Sequence, residues 1–306
     1  MHRATDLSVW KGRSDTGESG DTRRMWHVVS TLDAANTPRT AIVGFCCDEG
    51  VTRNQGRVGA AQAPATIRSC LAGMAWHHHS AGFVDAGDVV CSGSQLEQAQ
   101  RELSGLVKNL ITAGHLPIVI GGGHYVAFGT GSGVFESVDA SRKIGVINLD
   151  AHLDVRHAPV RNSGTSFRDL FQLRSFEYLC IGVARSSNTA ALFERVRSTG
   201  GSWLLDEDVR QDEKGTMKAV AALLERCDDI YLSIDSDVMP ASEAPGVSAP
   251  ATLGVPFETV LRIVTTVAQH PKLRALDLAE VNPNSDIDNR TARLAARLIH
   301  SIIHGR

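Results

Sequence analysis

Short runs of β-branched and aliphatic residues alternate along the chain with longer segments whose apolar positions recur every three or four residues. The runs are Thr40-Ala-Ile-Val-Gly-Phe, Leu116-Pro-Ile-Val-Ile, Ile144-Gly-Val-Ile-Asn-Leu, Tyr178-Leu-Cys-Ile-Gly-Val, Trp203-Leu-Leu, Ile230-Tyr-Leu-Ser-Ile and Leu273-Arg-Ala-Leu-Asp-Leu. Most are continuously apolar rather than alternating, which predicts strands covered on both faces, as in a parallel sheet. The amphipathic segments predict helices from Ser94, with Glu97 at capping-box spacing, to Gly114, and over about Thr216 to Cys227, Pro256 to Gln269 and Asn289 to His304. Strand, helix and strand in repetition imply right-handed crossovers and a three-layer α/β/α fold.

No repeat or linker divides the chain beyond its beginning, so residues 1–37 are read as a partly extended N-terminal segment and 38–306 as a single domain. Leu110 to Phe135 carries no Asp, Glu, Lys or Arg and is long enough to span a bilayer. Its seven glycines, Pro117, His115 and His124 make it a poor membrane helix.

Composition narrows the partners. Lys and Arg total 31 against 34 for Asp and Glu, a net charge of -3, so there is no basic field for nucleic acid or an anionic membrane and small molecules become the expected partners. Cys46, Cys47, Cys70, Cys91, Cys180 and Cys227 show no CxxC spacing and mostly sit in apolar runs, as buried thiols of a reducing compartment do. The first residues lack a signal-type apolar core, which makes the cytoplasm the expected location. The tract His77-His78-His79 is read as a solvated loop, and Cys46-Cys47 as packing at a strand end.

In parallel sheets, active sites lie beyond the carboxyl ends of the strands, and three of the predicted ends carry metal-ligand residue types. They are Gly121-Gly-Gly-His124, Asp150-Ala-His152-Leu-Asp154 and Asp235-Ser-Asp237. Alternate residues of extended chain point to one side, where three acceptors would repel one another without a cation between them. Two histidines and four aspartates exceed the needs of one four-coordinate zinc. Two ions with bridging carboxylates suit the set better, and its hard oxygen character favours Mn²⁺. Ions about 3.5 Å apart would lower the pKa of a shared water and deliver hydroxide at neutral pH.

Together with Ser233-Ile-Asp235-Ser-Asp237-Val-Met-Pro240 and Ala279-Glu280-Val-Asn-Pro283, these motifs resemble the signature set of the ureohydrolase family, which includes arginases, agmatinases and formimidoylglutamases. The resemblance runs from about Ile42 to Ile303 and takes in Asp85-Ala-Gly-Asp88 and Gly59-Ala-Ala-Gln-Ala-Pro64. It implies a central eight-stranded parallel sheet flanked by helices and a centre of two Mn²⁺. By motif, His124, Asp154 and Asp237 would hold one ion and His152 the other, with Asp150 and Asp235 bridging. Glu280 would orient the nitrogen-rich group of the substrate.

The substrate loops decide among the family's reactions. Arginases carry a proton-shuttling His-Gly pair after the Asp-x-His-x-Asp motif, whereas this chain reads Asn162-Ser163-Gly-Thr-Ser-Phe167, with Phe167 at the His position. Where arginases place a neutral Asn two residues past the motif, this chain has Arg156, and Arg185 with Asn188 occupies a loop that holds an acid in arginases. Loss of that acid and gain of arginines suit a substrate with two carboxylates and no free ammonium, such as N-formimino-L-glutamate. The expected reaction is attack of metal-bridging hydroxide on the formimino carbon to give L-glutamate and formamide, as in histidine degradation. Glu280 would hold the nitrogens and Asp154 would pass a proton, while Arg156, Asn162, Ser163, Arg185 and Asn188 would bind the substrate. A guanidino-acid hydrolase releasing urea, a non-catalytic metal-binding relative and a single-zinc deacetylase-like enzyme are the alternatives. Family relatives form trimers or hexamers, so a homo-oligomer is expected by analogy.

Overall fold

The computed structural model describes residues 1–35, 37–77 and 82–305. Ten strands form one sheet: β1 (His2–Arg3), β2 (Val29–Thr31), β3 (Thr40–Cys46), β4 (Phe83–Val90), β5 (Leu116–Ile120), β6 (Ile144–Leu149), β7 (Glu177–Val183), β8 (Ser202–Leu205), β9 (Asp229–Asp235) and β10 (Leu273–Ala279). The spatial order is β1-β4-β3-β5-β10-β9-β6-β7-β8, with β2 also pairing β4. The eight strands from β4 to β8 in that order are all parallel, as the family resemblance implies. Residues 1–37 add two short edge strands, β1 antiparallel and β2 parallel.

The continuous apolar runs split by residue parity into two cores. Ile118 and Ile120, Ile147 and Leu149, and Ile230, Leu232 and Ile234 face one core, together with the helices α3 (Ala63–Ala72), α9 (Glu213–Arg226), α10 (Phe257–Ala268) and α11 (Arg290–His304). Val119, Val146 and Tyr231 face the other, together with α4 (Leu96–Thr112), α5 (Val126–Ser137), α6 (Ser166–Leu173) and α7 (Ala190–Ser198). Each strand therefore needs apolar residues at every position, the physical reason for its uninterrupted pattern. Short helices α1 (Met25–Val28), α2 (Glu49–Arg53) and α8 (Asp206–Gln211) complete the set among the described residues.

One expectation is corrected and one strand was not foreseen. Ser94 and Glu97 do not form a capping box: α4 starts at Leu96 with Gln95 before it, and Arg53 takes both the Ser94 carbonyl (2.9 Å) and the Glu97 carboxylate (2.6 Å). The strand β4 escapes sequence reading because Asp85 and Asp88 interrupt its apolar run. The buried Arg68 guanidinium answers both, binding Asp85 through two nitrogens (2.8 and 2.9 Å) and Asp88 at 2.6 Å. Arg3 and Trp10 Nε1 add donors to Asp88 and Asp85 at 2.5 and 2.7 Å, joining the N-terminal segment to the same edge. No helix among the described residues is long and apolar enough to cross a membrane. His77 is exposed and donates its amide to His304 Nε2 at 3.2 Å, while His78 and His79 lie outside the described residues.

Candidate functional site

Four neighbouring strands, β5, β10, β9 and β6, end at one edge of the sheet. The chain leaving them supplies His124, then Glu280, then Asp235 and Asp237, and finally Asp150, His152 and Asp154. After β5 the chain turns on glycines. Gly122 has φ +67°, and a Cβ there would stand 2.8 Å from a Phe45 ring carbon and 2.9 Å from its carbonyl oxygen. The tight turn sets the Gly122 carbonyl 3.0 Å from the Glu280 amide and the His124 amide 2.8 Å from Glu280 Oε1, so the two segments clamp each other.

Asp150 and Asp235 accept the amide two residues onward, from His152 (2.7 Å) and Asp237 (2.8 Å) respectively. These Asx turns, rather than extended chain, bring the alternate side chains together, which corrects the geometry expected from sequence. Asp154 follows in the left-handed region at φ +47°.

His124 Nδ1 lies 3.1 Å from Asp150 Oδ2, 3.0 Å from Asp154 Oδ2 and 3.1 Å from Asp235 Oδ2, but forms no acceptable hydrogen bond. Its other nitrogen, Nε2, is 2.9 Å from Ser233 Oγ, which donates to Asp277 Oδ1 at 2.7 Å. A hydroxyl that donates to a carboxylate accepts from the imidazole, so Nε2 carries the hydrogen and Nδ1 presents its lone pair to the three carboxylates. That arrangement repels itself unless a cation lies inside it. His152 Nδ1 sits 3.0 Å from Asp237 Oδ2 and 3.6 Å from Asp150 Oδ1. Two ligand groups result, His124 with Asp150 and Asp154, and Asp150 with His152 and Asp237, each with its ligand atoms within 4.8 Å of one another. Asp237 thus stands with His152, and Asp235 beside His124; the expected pairing of Asp237 with His124 is corrected.

The electrostatics fit divalent cations. Burial and the Asp150 charge push the Asp154 carboxyl up to about 6, and burial and Asp237 push Asp235 up to about 7. Burial opposes charge on both imidazoles, yet Asp235 and Asp150 hold His124, and Asp237 and Asp150 hold His152, well above the usual histidine range. Protons here neutralise what metal ions would otherwise neutralise. Glu280, at φ +64°, is buried with Oε2 unpartnered; burial and Asp235 raise its carboxyl well above the ordinary value.

The expected substrate contacts divide. Arg156 Nη1 and Ser163 Oγ both bond to the Asn54 side chain, at 2.9 Å each. Asn162 and Asn188 are buried and spend their amides on the backbone. Asn162 accepts from Gly164 N and donates to the Val160 carbonyl, while Asn188 accepts from Leu153 N and donates to the Ala151 and Ala184 carbonyls. They hold loops in place instead of facing open space. Arg185 is exposed, 3.4 Å from Glu207, at the wall of a cavity of about 770 Å³ that reaches His152. Phe167 is fully buried, its ring edge-on to His124 at 5.6 Å. Sequence reading missed Asn54 and the buried Asp277, which also accepts from Tyr231. The available signal was an ionisable residue inside an apolar strand, with Ser233 opposite it across the β10–β9 ladder.

Comparison with known proteins agrees with this architecture. The arginase family model matches residues 38–305, and the chain belongs to that family. It is 43% identical to a formimidoylglutamase of Chromobacterium violaceum over 97% of each chain, and 44% identical to one of Nocardia farcinica over 96% of this chain and 95% of that protein. A crystal structure of Trypanosoma cruzi formiminoglutamase with two Mn²⁺ superposes with a TM-score of 0.83 at 28% identity, over 93% of this chain and 98% of that one. Native arginase from Bacillus caldovelox shares the fold, with a TM-score of 0.73 at 24% identity over 87% and 98% of the two chains.

Proposed function

We propose that the protein is a two-manganese hydrolase that converts N-formimino-L-glutamate and water to L-glutamate and formamide. The observation that carries this reading is the placement of Arg156 and Ser163, both bonded to the Asn54 side chain, on the loops that continue from the ligand segment ending at Asp154, where they would receive a carboxylate. The relatives named as formimidoylglutamases, 43% and 44% identical over nearly the whole chain, support the same substrate.

His124, Asp150, His152, Asp154, Asp235 and Asp237 would hold the two Mn²⁺, which when bound supply an activated water at neutral pH. Glu280 Oε1 is fixed by the His124 amide, leaving Oε2 to accept hydrogen bonds from the formimino nitrogens and hold the carbon over the cluster. Phe167 has no proton to give, so Asp154, which lies at the edge of the ligand cluster 3.0 Å from His124, would pass one to the glutamate nitrogen as the C–N bond breaks. Arg156 and Arg185 anchor the carboxylates. Asn162 and Asn188 act through the loops they brace. Six free cysteines support a reducing, cytoplasmic setting.

The test is a product assay of the Mn²⁺-loaded protein on N-formimino-L-glutamate, arginine, agmatine and guanidinobutyrate. Formamide and glutamate from the first alone are expected. Urea from a guanidino compound would preserve the metal centre and overturn the substrate.

A further inference from the structure

Asn54 follows the last residue of α2, in a segment tied down on every side. Arg53 donates to Glu49 (2.8 Å), Glu97 (2.6 Å) and the Ser94 carbonyl (2.9 Å), fixing α2 to the start of α4. The Asp48 carboxylate accepts from Gly59 N (3.1 Å) and Ala61 N (2.9 Å). Asn282, two residues beyond Glu280, donates to the Arg57 and Val58 carbonyls at 2.9 and 3.2 Å. Within this frame the half-buried Asn54 amide points its two ends at different partners. Oδ1 accepts from Arg156 Nη1, and Nδ2 donates to Ser163 Oγ.

The polarity of those two bonds matters. Because Ser163 Oγ already accepts from Asn54, its hydroxyl hydrogen is directed elsewhere, and no acceptor for it occurs among the described residues. Arg156 is held by Nη1 and by its own amide, which donates to the Gly164 carbonyl at 2.9 Å. Its Nε and Nη2 meet no acceptor among the described residues, and Cζ and Nε lie 3.5 Å from where a Gly164 Cβ would stand. The neutral amide thus leaves only donors unspent on these two side chains, the N–H bonds of Arg156 Nε and Nη2 and the Ser163 O–H, a set suited to a carboxylate.

We propose that Asn54 is the positioning residue of this carboxylate site, setting the rotamer of Arg156 and the donor sense of Ser163, and so the preference for an anionic substrate. The inference rests on the N-formimino-L-glutamate reading above. It explains why an amide stands here: an aspartate would pair with Arg156 internally and draw the Ser163 hydrogen inward, cancelling that set of donors.

The experiment compares the Mn²⁺-loaded wild type with Asn54→Ala, Asn54→Asp, Arg156→Ala and the Asn54→Ala/Arg156→Ala double variant, with metal content and Tm measured for each. For Asn54→Ala, KM for N-formimino-L-glutamate should rise about tenfold with kcat changed by less than about twofold. Asn54→Asp, nearly isosteric, should be worse than Asn54→Ala, and Asn54→Ala should cost less in the Arg156→Ala background than in the wild type, the remainder acting through Ser163. Calorimetric binding of L-glutamate should weaken in the same order. Unchanged KM, an aspartate variant milder than alanine, or additive effects in the double variant would each overturn the role of Asn54 while leaving the function intact. A wild type that does not turn over N-formimino-L-glutamate would instead overturn the function and this inference with it.

Discussion

Two of the residues placed closest to the chemistry, Asp154 and Glu280, have left-handed backbones that a non-glycine residue adopts only under constraint. Glu280 is held there by the Gly122 carbonyl and the His124 amide, so its side chain enters the cluster preorganised. Replacing it by Gln keeps an acceptor for the His124 amide but removes the carboxylate charge that, in the proposed function, faces the formimino nitrogens. Glu280→Gln is therefore expected to lower kcat/KM about 10²–10³-fold with Mn²⁺ content unchanged, measured by steady-state assay and metal analysis. Asn188 acts differently, since its amide braces the backbone at Ala151 and Leu153, on either side of the ligand His152. Asn188→Ala should weaken Mn²⁺ binding about 10–100-fold in a metal titration; unaltered affinity would show that the brace is dispensable. At this scale the ligand types and spacings were legible in the sequence. Whether an amide faces substrate or backbone was not, because Asn162 and Asn188 look alike as letters and only the folded loop decides their partners.

Among the elements, the central strands could be read because burial on both faces demands an unbroken apolar run. The strand β4 could not, because its two aspartates are compensated by Arg68, a residue some 17 positions away in α3. Arg68→Ala would leave Asp85 and Asp88 buried beside fewer cations, at a cost of about 3–5 kcal/mol measured by denaturant unfolding. A loss under about 1 kcal/mol would mean that Arg3 and Trp10 suffice. The Ser94–Glu97 capping box failed for a related reason: Arg53, 44 residues from Glu97, takes the Glu97 carboxylate that would have reached back to the cap. Local spacing predicts local bonds only where no distant charge competes for them.

For the whole molecule, the crowded carboxyls make stability depend on pH in a direction that can be worked out. Asp154 and Asp277, raised from 3.8 to about 6, and Asp235, raised to about 7, keep protons in the folded chain that the unfolded chain gives up. Between those values the folded state binds more protons, so stability falls as pH rises. The raised histidines His124 and His152 act in the same sense at higher pH, while Asp150, held below its usual value, opposes it only in acid. In chelator, Tm should therefore drop between about pH 5 and about pH 8, and the rise in Tm on adding Mn²⁺ should widen over the same range; a gap independent of pH would contradict it. The sheet order carries a further consequence. β10 is the last strand in the chain, yet it lies at the centre, pairing β5 on one side and β9 on the other. Until it is inserted, His124 belongs to one half-sheet and the aspartates to another, with no strand pairing between them. During synthesis, a nascent chain that has already emitted every metal ligand still cannot bring His124 to the aspartates, and an ion held by His124 must wait for residues beyond Leu273 to leave the ribosome.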